Sequence, residues 1–87
     1  MSIEKGDSQM FNTPVSDEER IYVAGSELFN LVRDLLDEST QDFIQELLFV
    51  GEAGIAIDVM APYYKESNFK LSNSSLLTIK ELHELTL

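Results

Sequence analysis

The sequence contains no cysteine and no tryptophan, and it has one histidine, two prolines and four glycines. Without cysteine there is no disulfide, no thiolate metal ligand and no cysteine nucleophile. That usage fits a reducing compartment. A single imidazole, His83, lacks the softer companions that a zinc site needs. No apolar run reaches the roughly 18 residues of a membrane-spanning helix. The opening MSIEKGDSQMFNTPVSDEER has no apolar core of the signal-peptide kind. A cytoplasmic protein is the expectation. Positive charge is the scarcest property: six bases stand against sixteen acids, for a net charge of −10. Nucleic acid and anionic membrane both demand Lys and Arg, so neither is an expected direct partner. A basic protein is the natural counterpart, because opposite fields speed encounter and orient it. The plainer reading of the same charge is solubility.

Present instead is a hydrophobic fraction of 44% in 87 residues, ordinary for one small globular domain. Residues 1–15 mix Ser, Gly, Gln, Asn, Thr and Pro without a period and read as a flexible lead-in. Residues 16–87 read as a single helical domain. Ser16, with Glu19 three residues on, has the form of a capping box. Ile21, Ala24, Leu28, Leu31, Val32 and Leu35 then recur at three- and four-residue spacings, which predicts an amphipathic helix over 17–37. Gly25 inside it weakens the helix and leaves room for a close neighbour. Ser39 or Thr40 is the predicted cap of a second helix over 40–49, with Phe43, Ile44, Leu47 and Leu48 inward and Asp42 and Glu46 outward. Gly51 punctuates. A third helix is predicted over 51–65, with a stripe of Ile55, Ala56, Val59, Met60 and Tyr63. Pro62 is expected to kink it or end it early. Ser72 caps a last helix over 73–85, with Leu76, Ile79, Leu82 and Leu85 inward. The apolar runs Leu47–Val50 and Ile55–Ile57 lack strand alternation. The fold class is therefore all-α, a compact bundle of about four short helices.

No residue set carries chemistry, and no enzyme is expected. His83 has no oriented nucleophile beside it. Gly51-Glu52-Ala53-Gly54 lacks the spacing of a phosphate-binding loop. Asp37, Glu38 and Asp42 lack the glycine and terminal glutamate of a calcium loop. No cofactor and no metal site are expected. Glu52 and Asp58, six residues apart, differ by about 120° around a helix and do not face one another as a catalytic pair. On the predicted stripe Glu52 falls inward in the first turn, suited to the free N–H groups there, and Asp58 falls outward.

The regional pattern is more specific. Asp34, Asp37, Glu38, Asp42, Glu46, Glu52 and Asp58 follow one another with no base between Arg33 and Lys65, and the segment ends in Tyr63-Tyr64. Acids beside tyrosine suit capture of a basic surface, since Tyr supplies contact area at low entropic cost. Tyr63 is expected in the core and Tyr64 at the surface. Partner-binding candidates are Asp37, Glu38, Asp42, Glu46, Glu52, Asp58, Tyr63 and Tyr64. Homodimerisation stays open, since a small helical domain gains burial by pairing.

Phe49-Val50-Gly51-Glu52-Ala53-Gly54-Ile55-Ala56-Ile57-Asp58 resembles the GE-x-G-x-A core of the MafI family of immunity proteins in bacterial polymorphic toxin systems. The order of elements over 17–87 is similar too, apart from the Pro62-Tyr63-Tyr64 turn. The resemblance implies a small helical cytoplasmic protein that neutralises a cognate toxin by stoichiometric binding, commonly a nuclease with a basic cleft. The alternative is a small helical adaptor that docks a partner helix in an apolar groove.

Overall fold

The computed structural model describes residues 16–87, so the expected lead-in over residues 1–15 lies outside the described residues. Four helices form an all-α bundle there: α1 (Asp17–Val32), α2 (Glu38–Phe49), α3 (Ala53–Lys65) and α4 (Asn73–His83). Their ends follow local chemistry. Ser16 accepts from the Glu19 N–H at 3.1 Å while the Glu19 carboxylate accepts from the Ser16 N–H, so the capping box is present. Ser72 caps α4 by accepting from the Ser75 N–H at 3.2 Å.

Other boundaries differ from the sequence reading. The first helix stops at Val32 and is followed by a 3-10 turn, Arg33–Leu35. Leu35 points outward, and Leu36 enters the core instead. Gln41 fixes this turn: its side-chain amide donates to the carbonyls of Arg33 (2.7 Å) and Leu36 (3.1 Å). The cap of α2 is Asp37, not Ser39 or Thr40, and its carboxylate accepts from the Thr40 N–H at 2.8 Å. The last helix ends at His83, two residues short, with Glu84 left-handed at φ 55°.

Gly51 does more than interrupt the chain. Its φ is +84°. The Glu52 N–H reaches back to the Leu47 carbonyl at 2.8 Å and the Gly51 N–H to Leu48 at 3.3 Å. These two bonds are a Schellman motif, which needs a residue at positive φ, and glycine is the one that takes it without strain. Helix α3 consequently begins at Ala53, not at 51.

The core joins all four helices through Leu28, Val32, Ile44, Ile57, Met60 and Ile79, each essentially without solvent exposure. Helix α1 is the central element and packs on each of the other three. Gly25 is what permits the closest approach. A Cβ placed there would sit 3.2 Å from Leu48 and 3.6 Å from Ala53 and Ile57. The buried face of α3 is Ala53, Ala56, Ile57, Met60, Ala61 and Tyr64, an i, i+3, i+4, i+7, i+8, i+11 pattern. It is rotated from the predicted stripe: Ile55 and Tyr63 are exposed, while Ile57 and Tyr64 are inside. So many positions of α3 are apolar that two stripes compete. Contact of Ala53 and Ile57 with Gly25 selects the one with small residues. Phe43 of α2 also turns outward, contrary to its expected inward position. Pro62 does not end α3, which runs three residues further to Lys65. Pro62 is exposed, and the helix forgoes one hydrogen bond there, the one to the Asp58 carbonyl.

Candidate functional site

The acids predicted to meet a partner are all at the surface, but they are not equivalent. Asp37 is occupied as the cap of α2. Bonds from Thr40, side chain first and then backbone N–H, hold its carboxyl below the ordinary aspartate range. Asp58 faces outward as expected, yet its Oδ1 lies 2.8 Å from His83 Nε2. That pair ties α3 to the end of α4. Gly54, one turn before Asp58, makes the seat for the imidazole: a Cβ there would lie 3.1 Å from His83 Cε1. His83 is thus a bridging side chain at the bundle rim. Glu52 is exposed, not inward, and occupies the residue before α3 with no side-chain bond to the helix start.

Glu38, Asp42 and Glu46 stand apart from these. Each is exposed, and none has an ion-pair partner among the described residues. They follow at four-residue steps along α2, so they share one face. That face lies roughly opposite Ile44 and Leu48, which are buried against the other helices. Three residues beyond Glu46 the same face carries Phe49, a phenylalanine ring 89% exposed. An aromatic so open is uncommon, since burying such a ring contributes about 1.5–3 kcal/mol.

Phe49 borders a groove of about 300 Å³ between α1 and α2. Tyr22 and Phe29 of α1 and Leu48 of α2 supply its apolar lining, with Ser26, Asn30 and Gln45 as neutral hydrogen-bonding groups. One turn beyond Phe29, the Arg33 guanidinium stacks on the Phe29 ring, 5.3 Å from its centroid. The acidic face and the groove therefore meet along Gln45 and Phe49.

The two tyrosines exchange their expected places. Tyr64 is 9% exposed, and its hydroxyl oxygen accepts from the Leu71 N–H at 3.1 Å. It fastens the loop after α3. Tyr63 is 37% exposed and lines a separate hollow with Leu35, Glu66 and Phe69. Of the eight candidates, the structure brings Glu38, Asp42 and Glu46 together on one helix face. It places Asp37 at the start of that helix and Glu52 just past its end. It assigns Asp58 and Tyr64 to holding the bundle and sets Tyr63 elsewhere.

Three contributors are not among the candidates read from the sequence. Phe49 falls at the i+3 position from Glu46, so the exposed stripe was present in the spacing. Its groove partners Tyr22 and Phe29 lie on another helix, and nothing local marks them. Among the described residues, no three His, Cys, Asp or Glu side chains gather as a metal set, and no helix is long and apolar enough to cross a membrane. Comparison with known protein families, with characterised proteins and with solved structures finds no match for the chain.

Proposed function

We propose that the protein is a cytoplasmic immunity protein, a stoichiometric inhibitor and not an enzyme. It binds a cognate toxin domain with a basic surface, a nuclease by the MafI resemblance, and covers it with the acidic face of α2. The observation that carries this reading is the row Glu38, Asp42 and Glu46, exposed and without ion-pair partners among the described residues, ending in the open Phe49 ring. A base-free stretch from Asp34 to Tyr64 surrounds it, so a cationic cleft meets no repelling side chain along α2. A nuclease cleft built for phosphate fits a row of carboxylates of this kind.

The test is co-expression with a toxin domain, sought among the reading frames that neighbour the gene, scored as survival. The parent chain protects. The double charge reversal Asp42→Lys and Glu46→Lys slows association and removes protection. Full protection by that variant would move the interface off α2. A second reading, an adaptor for a partner helix, draws on an apolar hollow lined by Leu76, Leu77 and Leu87 on the α4 side. It calls for binding that barely changes with salt, whereas the immunity reading calls for a steep loss.

A further inference from the structure

We infer that the groove between α1 and α2 is the anchoring half of the binding surface, and that its occupant is a partner segment carrying one bulky apolar or aromatic side chain flanked by Lys or Arg. This rests on the immunity reading for the kind of partner and goes beyond it by dividing the labour. The carboxylates of α2 steer the partner in, and the groove holds it.

Two observations fix the occupant. The groove has an apolar floor, Tyr22, Phe29 and Leu48, with the Phe49 ring left open at its edge. An aromatic edge beside a concavity of about 300 Å³ fits one large side chain, not an extended apolar helix. Asp42 lies one turn before Gln45, and Glu46 one turn before Phe49, so any side chain entering the groove brings its neighbours against carboxylates. The neighbours on the α2 side are therefore cations, whereas at the α1 edge the Arg33 guanidinium stacked on Phe29 offers a cation no attraction. A second copy of this chain is a poor occupant, because a net charge of −10 sets like charges against each other there. The hollow at Leu76 and Leu77 has Lys80 on its rim, opposite in sign to α2, and nothing on that side specifies what would cover it.

The division predicts separable kinetics. Changes at Asp42 or Glu46 act on the association rate and its salt dependence, whereas changes at Phe49 or Tyr22 act on dissociation. Phe49 and Tyr22 are exposed enough to be truncated without loss of the fold.

The experiment titrates the full isotope-labelled chain with three defined pentapeptides and follows amide shifts. Arg-Lys-Trp-Arg-Lys carries both features, Arg-Lys-Gly-Arg-Lys only charge, and Glu-Glu-Trp-Glu-Glu only the anchor. The expected result is that only the first shifts Tyr22, Ser26, Asn30, Gln45 and Phe49 together. The glycine peptide shifts Asp42 and Glu46 alone, and the acidic peptide does neither. Phe49→Ala weakens the first peptide about tenfold and brings it to the level of the glycine peptide. Largest shifts on α3 or α4, or equal binding of the tryptophan and glycine peptides, would overturn the groove assignment. The survival assay reads the immunity function separately. Protection by the parent with no groove shifts refutes the groove alone. Groove shifts with no protection against any toxin domain encoded nearby leave the groove in place and refute the immunity reading.

Discussion

Replacing Glu27 tests the bundle at the point where its last helix is tied down. The Glu27 carboxylate on α1 accepts three hydrogen bonds from the start of α4: the Ser72 N–H at 2.7 Å, the Ser72 hydroxyl at 2.9 Å and the Ser75 hydroxyl at 2.6 Å. The partners are 45 and 48 residues away in the chain, so this is a tertiary link that also serves the helix start. It brings a negative charge to the positive end of α4. A hydrogen bond to a charged group contributes about 1.5–3 kcal/mol when buried. Three share one half-buried carboxylate here, and ordering the side chain opposes them. About 2–3 kcal/mol for Glu27→Ala is the worked expectation. A chain of this size has roughly 4–13 kcal/mol in all. The melting temperature should fall by about 10–20 °C.

The pH dependence follows from the same bonds. The Ser75 hydroxyl first, then the Ser72 N–H, hold the Glu27 carboxyl below its ordinary value of 4.5, against an opposing push from burial. The folded chain thus keeps Glu27 ionised at a pH where the unfolded chain has taken up the proton. The stabilisation is fully present above pH 4.5 and is lost as pH falls through the lower folded value. Urea unfolding of parent and Glu27→Gln, followed by circular dichroism at pH 7 and near pH 3, measures it. The difference between the two proteins should shrink at the lower pH. A Glu27→Ala variant within about 0.5 kcal/mol of the parent at pH 7 would refute the account. So would a Gln difference that does not change with pH.

Tyr64→Phe should destabilise by about 1–2 kcal/mol in urea, since the buried Leu71 N–H loses its acceptor and finds no replacement. Glu84→Gly should raise stability by up to about 1 kcal/mol, because residue 84 stands at φ 55° and glycine alone takes that conformation freely. Asp58→Ala breaks the bridge to the end of α4 but, with the carboxylate largely exposed, should change stability by less than about 1 kcal/mol. In a binding assay it should also disturb association far less than Asp42→Lys, and an equal effect would return Asp58 to the interface.

What could be read in advance follows the range of each interaction. Caps formed within four residues were legible: the Ser16–Glu19 box and the Ser72 cap are both in place. The cap of α2 was misplaced because Asp37, Ser39 and Thr40 all have capping chemistry, and geometry chose the first. The register of α3 was not legible. Its apolar residues fill two competing stripes, and the choice depends on Gly25, a residue of another helix. Tyr63 and Tyr64 changed places with that register. The links made by Glu27 and Gln41 join residues that carry no mutual signature in the chain. For the candidate site, the outward face of α2 was legible from its period, and the groove against α1 was not. It exists only once Tyr22 and Phe29 are laid beside Leu48 and Phe49.

Glu38, Asp42 and Glu46 follow at i, i+4 and i+8 on an exposed helix face, so Asp42 has a like charge on either side. Each such pair weakens a helix by about 0.2–0.5 kcal/mol at low salt, and an opposite pair strengthens it by as much. Asp42→Lys converts both pairs at once. The position lies beyond the first turn of α2, so little of the helix-end field opposes the change. The isolated variant should therefore be more stable than the parent by about 1 kcal/mol in low salt. The gain should fade in strong salt as the charges are screened. A row of carboxylates that weakens its own helix is not accounted for by folding. On the proposed reading, the row serves to meet the cations of a partner. Thermal unfolding of Asp42→Lys beside the parent, at low and high ionic strength and without partner, checks the argument. Lower stability in low salt would mean that Asp42 supports α2, and the case for the row as a binding face would lose its energetic ground.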